Sequence, residues 1–203
     1  MLEDQTGRVD IDIAEDQLRR FFPLLGGGFD ILTEVDLTVS AWFCSQPGLA
    51  TDYLKNRIQT IFLDGKAVDD PEKAIVKDGS TLALSAAMPG MVGSTFRKEG
   101  VFASMRSQIS HVTDPSVHHD RQIEVKLKLF NLIAKELGPA FLQKGVIIEG
   151  EHFQDFAVRN SENFKTACIS IRLNDEKTDV AGLLEMDWEN KQIFLQVKSE
   201  EES

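Results

Sequence analysis

Two stretches decide the fold prediction: IFLDGKAV at residues 61–68 and VKDGSTLAL at residues 76–84. Each contains an Asp-Gly pair beside apolar residues, and Asp-Gly supplies the tight turns that join neighbouring strands. In the second stretch, Leu82 and Leu84 recur with the two-residue period of a half-buried strand. The two stretches therefore predict strands joined by tight turns.

The sequence around these stretches predicts further strands and two helices. Residues 29–43 form a β-rich run in which Val35, Leu37 and Val39 alternate with polar residues, so we expect this run to be extended. The sequence LATDYLKNRI at residues 49–58 predicts a helix. Further predictions from the first part of the chain are a strand over residues 9–13 and a short helix over 14–25, ended by the glycines at 26–28.

With these elements, residues 29–93 resemble the ThiS/MoaD family of small β-grasp sulfur carriers. The resemblance implies a mixed sheet crossed by the helix at 49–58. Members of that family end in a free Gly-Gly whose carboxylate is adenylated and converted to a thiocarboxylate. Here the tail-equivalent residues are Gly90 and Gly93, which are not adjacent, and the chain continues beyond them. Sulfur carriage would require cleavage near Gly90 or Gly93, and the alternative is that these residues only turn the chain between domains.

The rest of the chain predicts a second small α+β unit with antiparallel strands. We expect strands at 123–129, 146–148 and 167–173, a helix at 131–137 stopped by Gly138-Pro139, and a hairpin of 183–188 with 192–197. The predicted fold class is α+β, with a β-grasp-like mixed sheet first. The predicted division is a β-grasp-like domain at 1–87 with its core at 29–86, a connecting segment at 88–121 and an α+β domain at 122–203.

The connecting segment has a local excess of basic residues in an acidic chain. Its cationic residues Arg97, Lys98, Arg106 and Arg121 are candidates for binding a partner or an anion. Long connections without a clear period are usually functional or mobile. The alternative is a solvated linker.

Three histidines in the same segment are candidate metal ligands. Imidazole is a common ligand of zinc and related ions, and His111, His118 and His119 lie within ten residues of one another. Their spacing matches no established ligand pattern, so a polar loop is the competing interpretation. We therefore expect no tightly bound metal and no cofactor.

Charge and cysteine content restrict the class of partner. The net charge of −11 disfavours nucleic acids and anionic membranes, both of which are negatively charged. The acidic residues near Met1 are followed by no apolar stretch, so no secretory signal is predicted. Two isolated cysteines are typical of reduced thiols in the cytoplasm. We expect Cys44 to be buried and structural, and Cys168 to be a passive thiol unless Arg172 lowers its pKa.

These observations favour a non-catalytic β-grasp protein that acts by binding another protein. One alternative is a protein that binds a small molecule or metal through residues 94–121. This alternative covers enzymes as well as binding proteins. A second alternative is a sulfur-carrier precursor cleaved near Gly90 or Gly93. The sequence is also compatible with a homo-oligomer.

Overall fold

The computed structural model describes residues 6–34, 37–46, 51–86 and 122–200. The chain divides into two compact units, unit 1 with Met1–Phe29 and Lys135–Ser203, and unit 2 with Asp30–Ala134. In each unit, helices accompany strands that pair in both parallel and antiparallel fashion. The predicted α+β class is therefore confirmed.

The helices and strands are listed in chain order. The strands are β1 (Thr6–Ala14), β2 (Phe29–Glu34), β3 (Thr60–Leu63), β4 (Lys66–Ala67), β5 (Thr81–Ser85), β6 (Gln122–Phe130), β7 (Val146–Glu149), β8 (Cys168–Leu173), β9 (Glu176–Thr178) and β10 (Gln192–Glu200). The α-helices are α1 (Phe22–Gly27), α2 (Val39–Ser45), α3 (Thr51–Asn56), α4 (Asn131–Lys144), α5 (Gly150–Arg159), α6 (Ser161–Ala167) and α7 (Val180–Glu185), and a 3₁₀ helix (Glu15–Phe21) precedes α1. Among the residues described, none of the helices is long and apolar enough to cross a membrane.

Unit 1 is built around β1, whose alternating residues were predicted to form a strand. Its strands lie in the order β7-β10-β1-β8-β9, and β1 pairs parallel with β10 and antiparallel with β8. Val9 and Ile11 are fully buried, as are their partners Leu195 and Val197 on β10. Alternate residues of a strand point to one face, so these four side chains form the apolar face of the unit 1 sheet.

The predicted hairpin of residues 183–188 and 192–197 is wrong. Residues 180–185 form α7, which begins where the Asp179 side chain accepts a hydrogen bond from the Gly182 N–H at 2.9 Å. Strand β10 pairs with β1 and β7 instead. Nine residues of β10 pair in parallel with β1. This pairing is longer than the predicted hairpin would have been, which explains why β10 pairs with β1.

The predicted stop at Gly138-Pro139 is also wrong, because α4 continues to Lys144. Gly138 has a packing role within the helix instead. A Cβ atom on Gly138 would lie 2.8 Å from Leu25 and 3.2 Å from Phe22, so glycine lets these side chains approach the helix closely. The helix ends instead before Gly145, whose φ of +98° suits a residue without a side chain.

Unit 2 contains the two stretches that carry the fold prediction. Its strands lie in the order β4-β3-β5-β6-β2. The predicted strands at 60–63 and 81–84 are confirmed as β3 and β5, which pair antiparallel. Between β3 and β4, Asp64 and Gly65 both have positive φ, 51° and 76°, as a two-residue hairpin turn requires. The predicted helix at 49–58 is confirmed over α3, Thr51–Asn56.

The prediction that residues 29–43 are extended throughout is wrong. The strand β2 ends at Glu34, and α2 begins at Val39. The Thr38 hydroxyl accepts a hydrogen bond from the Ala41 N–H at 3.2 Å and so caps the helix. Four of the seven helical residues are buried, and the exposed ones are Ala41, Cys44 and Ser45. The charged face that identifies most surface helices is therefore absent from α2.

Replacing Thr38 by alanine is expected to lower the free energy of unfolding by about 1 kcal/mol, because the Ala41 N–H loses its acceptor. Urea unfolding followed by circular dichroism measures the change. Thr38→Ser keeps the hydroxyl and is the matched control, with most of the stability retained. Equal losses in the two variants would show that the cap contributes nothing.

The two units differ from the division predicted along the sequence. Strand β6, which was assigned to the C-terminal domain, pairs in parallel with β5 and belongs to unit 2. Its alternating residues Val125, Leu127 and Leu129 are buried, as their period predicts. The predicted connecting segment at 88–121 lies outside the described residues.

Candidate functional site

The site residues predicted from the sequence all lie outside the described part of the chain. They are the cations Arg97, Lys98, Arg106 and Arg121, the candidate metal ligands His111, His118 and His119, and the tail-equivalent residues Gly90 and Gly93. Their roles therefore stay predictions. Within the described ranges, no group of three or more His, Cys, Asp or Glu side chains is arranged to hold a metal ion.

The two cysteines differ in their surroundings. Cys44, expected to be buried, is exposed at the end of α2. Cys168 is half-buried at the start of β8, and burial raises the pKa of its thiol from 9.0 to about 11. Arg172 does not reverse this effect, and its guanidinium lies 3.5 Å from the Asp12 carboxylate. Cys168 is therefore protonated at neutral pH and is a poor nucleophile.

Alkylation of Cys168 is expected to be slow in the folded protein. A pKa raised from 9.0 to about 11 leaves roughly 100-fold less thiolate at pH 8, and the thiolate is the reacting form. The test uses a Cys44→Ser variant, in which Cys168 is the only thiol, with iodoacetamide and mass spectrometry. The folded protein should react about 100-fold more slowly than the same variant in urea. Equal rates in the two conditions would contradict the raised pKa.

A cleft of about 330 Å³ lies beside Cys168, between β8, β9, α6 and α7 of unit 1. Its apolar lining consists of Phe164, Ile169, Ile171, Val180 and Ala181. Ile169 is 57% exposed, one of the most exposed large apolar side chains among the described residues. The volume matches the lower end of ordinary ligand pockets and would hold one or two side chains.

The cleft lies where the edge of the unit 1 sheet is incomplete. Strand β9 is the outermost strand of unit 1, and it pairs only with residues 171–173 of β8. Residues 168–170 of β8 extend beyond the end of β9, and on that side no other strand of unit 1 lies beside them within the part of the chain that the structure describes. Three extended residues present roughly 10 Å of strand edge. The Cys168 N–H at its beginning already donates to the Phe164 carbonyl at the end of α6.

A register shift on the other side of β8 affects the same residues. Ser170 lies opposite Asp12 and Cys168 lies opposite Ile13, so Ile169 is an extra residue without a partner on β1. Such bulges re-aim side chains and are frequent at sheet edges and binding sites. The bulge accounts for an isoleucine that stays exposed in a strand whose neighbour Ile171 is buried.

The rim of the cleft carries two cations and one carboxylate. Lys165 lies in the last turn of α6 and Lys177 lies on β9. The carboxylate of Asp179 caps α7 through the Gly182 N–H, so it is turned toward the helix. Lys165 also lies 2.8 Å from Glu162, but both side chains are exposed and such pairs are weak. The cleft is therefore less acidic than the chain as a whole, whose net charge is −11.

No family model, curated protein or solved structure matches this chain.

Sequence reasoning missed this cleft, although part of the pattern is visible. Asn174 and Asp175, two residues that tolerate positive φ, separate residues 171–173 from 176–178 and form the turn between β8 and β9. Asp179 followed by an apolar run is an N-cap pattern for α7. The bulge at Ile169 has no comparable pattern in the sequence.

Proposed function

We propose that this chain is a non-catalytic protein that acts by binding another protein, and that the cleft beside β8 receives a segment of that partner. The observation that carries the proposal is the exposed Ile169 at the mouth of an apolar cleft, next to an incomplete sheet edge. An apolar pocket with cations at its rim suits a peptide that has an apolar residue and acidic neighbours.

The chemistry of the cleft supports binding rather than catalysis. The only cysteine at the cleft has a pKa of about 11, which leaves little thiolate at neutral pH. The carboxylate of Asp179 already accepts a hydrogen bond from a helix N–H. The thiol therefore lacks the activated state that nucleophilic catalysis requires, and the carboxylate is engaged as a helix cap.

The test uses a phage-displayed library of random dodecapeptides selected on the full chain, with binding measured to purified variants. Ile169→Asp places a charge at the mouth of the cleft. Val158→Asp is the matched control, because Val158 on α5 is also 57% exposed and does not line the cleft. Circular dichroism establishes that both variants are folded.

We expect Ile169→Asp to weaken binding of the selected peptides roughly 10- to 100-fold, because burial of one large apolar side chain contributes about 1.5–3 kcal/mol. Val158→Asp should bind within about 2-fold of the parent chain, since its side chain does not line the cleft. The proposal fails if no peptide is enriched, or if the two variants lose affinity equally.

The proposal includes a β-grasp fold for the first half of the chain, which rests on the resemblance of residues 29–93 to sulfur carriers. The alternatives drawn from the sequence, ligand or metal binding through 94–121 and a sulfur-carrier precursor, depend on residues outside the described ranges. Whole-protein mass spectrometry from the native source tests the precursor, since sulfur carriage needs a chain that ends near Gly90 or Gly93.

A further inference from the structure

Resting on the proposed function, we infer how the partner binds: an extended segment of a different protein adds to the unit 1 sheet as a short strand along residues 168–170 of β8. This segment places one apolar side chain in the cleft beside Ile169 and an acidic residue near Lys177. The mode is β-strand addition, in which main-chain hydrogen bonds give affinity and a pocket for a side chain gives specificity.

The distribution of residues along the sheet edge supports strand addition at this position. Natural edges are protected by short strands and by charged side chains. Strand β9 has both features, since it is three residues long and includes Glu176 and Lys177. Residues 168–170 lack this protection, because the most exposed side chain there is an isoleucine. The edge is therefore protected along β9, and beyond the end of β9 no described strand of unit 1 lies beside it.

The cleft supplies a pocket for one side chain of an incoming segment rather than a flat surface. Phe164 of α6 and Val180 of α7 both line it, and both are largely buried in the unit. These helices border the open part of β8 and supply apolar contacts for one side chain of the incoming segment. A single anchored residue flanked by main-chain hydrogen bonds is the minimum that strand addition needs.

Charge favours a different protein over a second copy of this chain. Two molecules of net charge −11 repel one another at long range. Lys177 is exposed on β9, its cross-strand neighbour is Arg172, and no acidic side chain lies opposite it on β8. An acidic residue that follows or precedes the apolar anchor would therefore gain a favourable contact at the rim.

The first arm of the test examines the main chain of the bound segment. Synthetic copies of the strongest displayed dodecapeptide are made with a single N-methylated amide at each position in turn. In a strand, every second N–H faces the neighbouring strand. We therefore expect at least a 10-fold loss of affinity at alternate positions around the apolar anchor, with little change at the positions between them. Uniform or absent effects along the peptide would overturn strand addition.

The second arm examines the charge. Lys177→Glu should weaken binding of the same peptide about 3- to 10-fold, and the peptide should contain an Asp or Glu near its apolar residue. Lys198→Glu is the matched control, because Lys198 on β10 is also exposed and does not line the cleft. Equal effects of the two substitutions, or selected peptides without acidic residues, would overturn the acidic partner. Concentration-dependent dimerisation of the parent chain that Ile169→Asp abolishes would overturn the choice of a different protein.

The outcomes separate this inference from the function on which it rests. If no displayed peptide distinguishes Ile169→Asp from Val158→Asp, the proposed function itself fails. If such peptides exist but N-methylation does not alternate in effect, the cleft is a binding site and only the strand pairing is wrong.

Discussion

Replacing Trp188 by alanine is expected to lower the free energy of unfolding by about 3–5 kcal/mol, the usual cost of deleting a large buried aromatic side chain. Trp188 is 1% exposed, and its indole N–H donates a hydrogen bond to the Leu183 carbonyl at 2.9 Å. Its ring packs edge-on against Phe153 with centroids 5.8 Å apart. The side chain thus joins α7 to α5 and closes the core of unit 1.

Urea unfolding followed by far-ultraviolet circular dichroism measures the loss. Trp188→Phe is the matched control, because phenylalanine keeps an aromatic ring against Phe153 but cannot donate to Leu183. We expect it to lose clearly less stability than Trp188→Ala. A loss below about 1 kcal/mol for the alanine variant would show that Trp188 is not part of the core.

The second large effect is expected at Gly150, the first residue of α5. A Cβ atom there would lie 2.4 Å from the Trp188 carbonyl oxygen and 2.9 Å from the Lys191 carbonyl oxygen. Both are main-chain atoms, and the Gly150 N–H donates to the Lys191 oxygen at 2.7 Å. The backbone around Trp188 must shift to admit even a methyl group, so Gly150→Ala should lower the free energy of unfolding by about 1–3 kcal/mol.

Glu151→Ala is the control for Gly150→Ala, because Glu151 is the next residue of α5 and is exposed. It should change the free energy of unfolding by less than about 0.5 kcal/mol. The same urea titration serves both variants. If Gly150→Ala is as stable as Glu151→Ala, the close approach of the two backbone segments is contradicted.

The strands that the sequence predicts correctly are those with one buried face. In β1, Val9, Ile11 and Ile13 occupy the apolar core face, and the aspartates occupy the opposite face, where the buried Asp10 pairs with Arg8. Strand β6 shows the same relation. Here the pattern and the structure agree because each residue's polarity records which face of the sheet it occupies.

The helix α2 could not be identified in this way. Its residues include valine, tryptophan and phenylalanine, which have strand-like propensities, and most of them are buried. Tertiary packing therefore outweighs local preference. The capping residue Thr38 is the one local feature that indicates a helix. It is weaker evidence than the strand-like alternation of Val35, Leu37 and Val39 with polar residues.

The cleft was beyond sequence reasoning for a different reason. It depends on where β9 stops along β8 and on the extra residue Ile169, and both are properties of strand register. Register is set by pairing between residues more than 150 positions apart, such as Asp12 with Ser170. A pattern within one strand does not contain that information.

The binding segment predicted at 88–121 and the cleft beside β8 are separate proposals about the same activity. The cleft has the firmer physical basis, because the exposure of Ile169, the end of β9 and the surrounding apolar side chains are all observed in unit 1. Variants at Arg97, Lys98 and Arg106 test the segment independently. Retention of cleft-dependent peptide binding in a triple charge-reversal variant would show that the cleft acts alone.

Pairing of a partner segment with β8 in the cleft is detected by nuclear magnetic resonance on the full chain bound to the strongest displayed peptide. Intermolecular Overhauser effects report protons that lie close together. We expect contacts from the peptide main chain to the backbone protons of Cys168, Ile169 and Ser170, and from the apolar anchor to Phe164 and Val180. Contacts confined to another surface, such as that around Val158 on α5, would contradict the pairing.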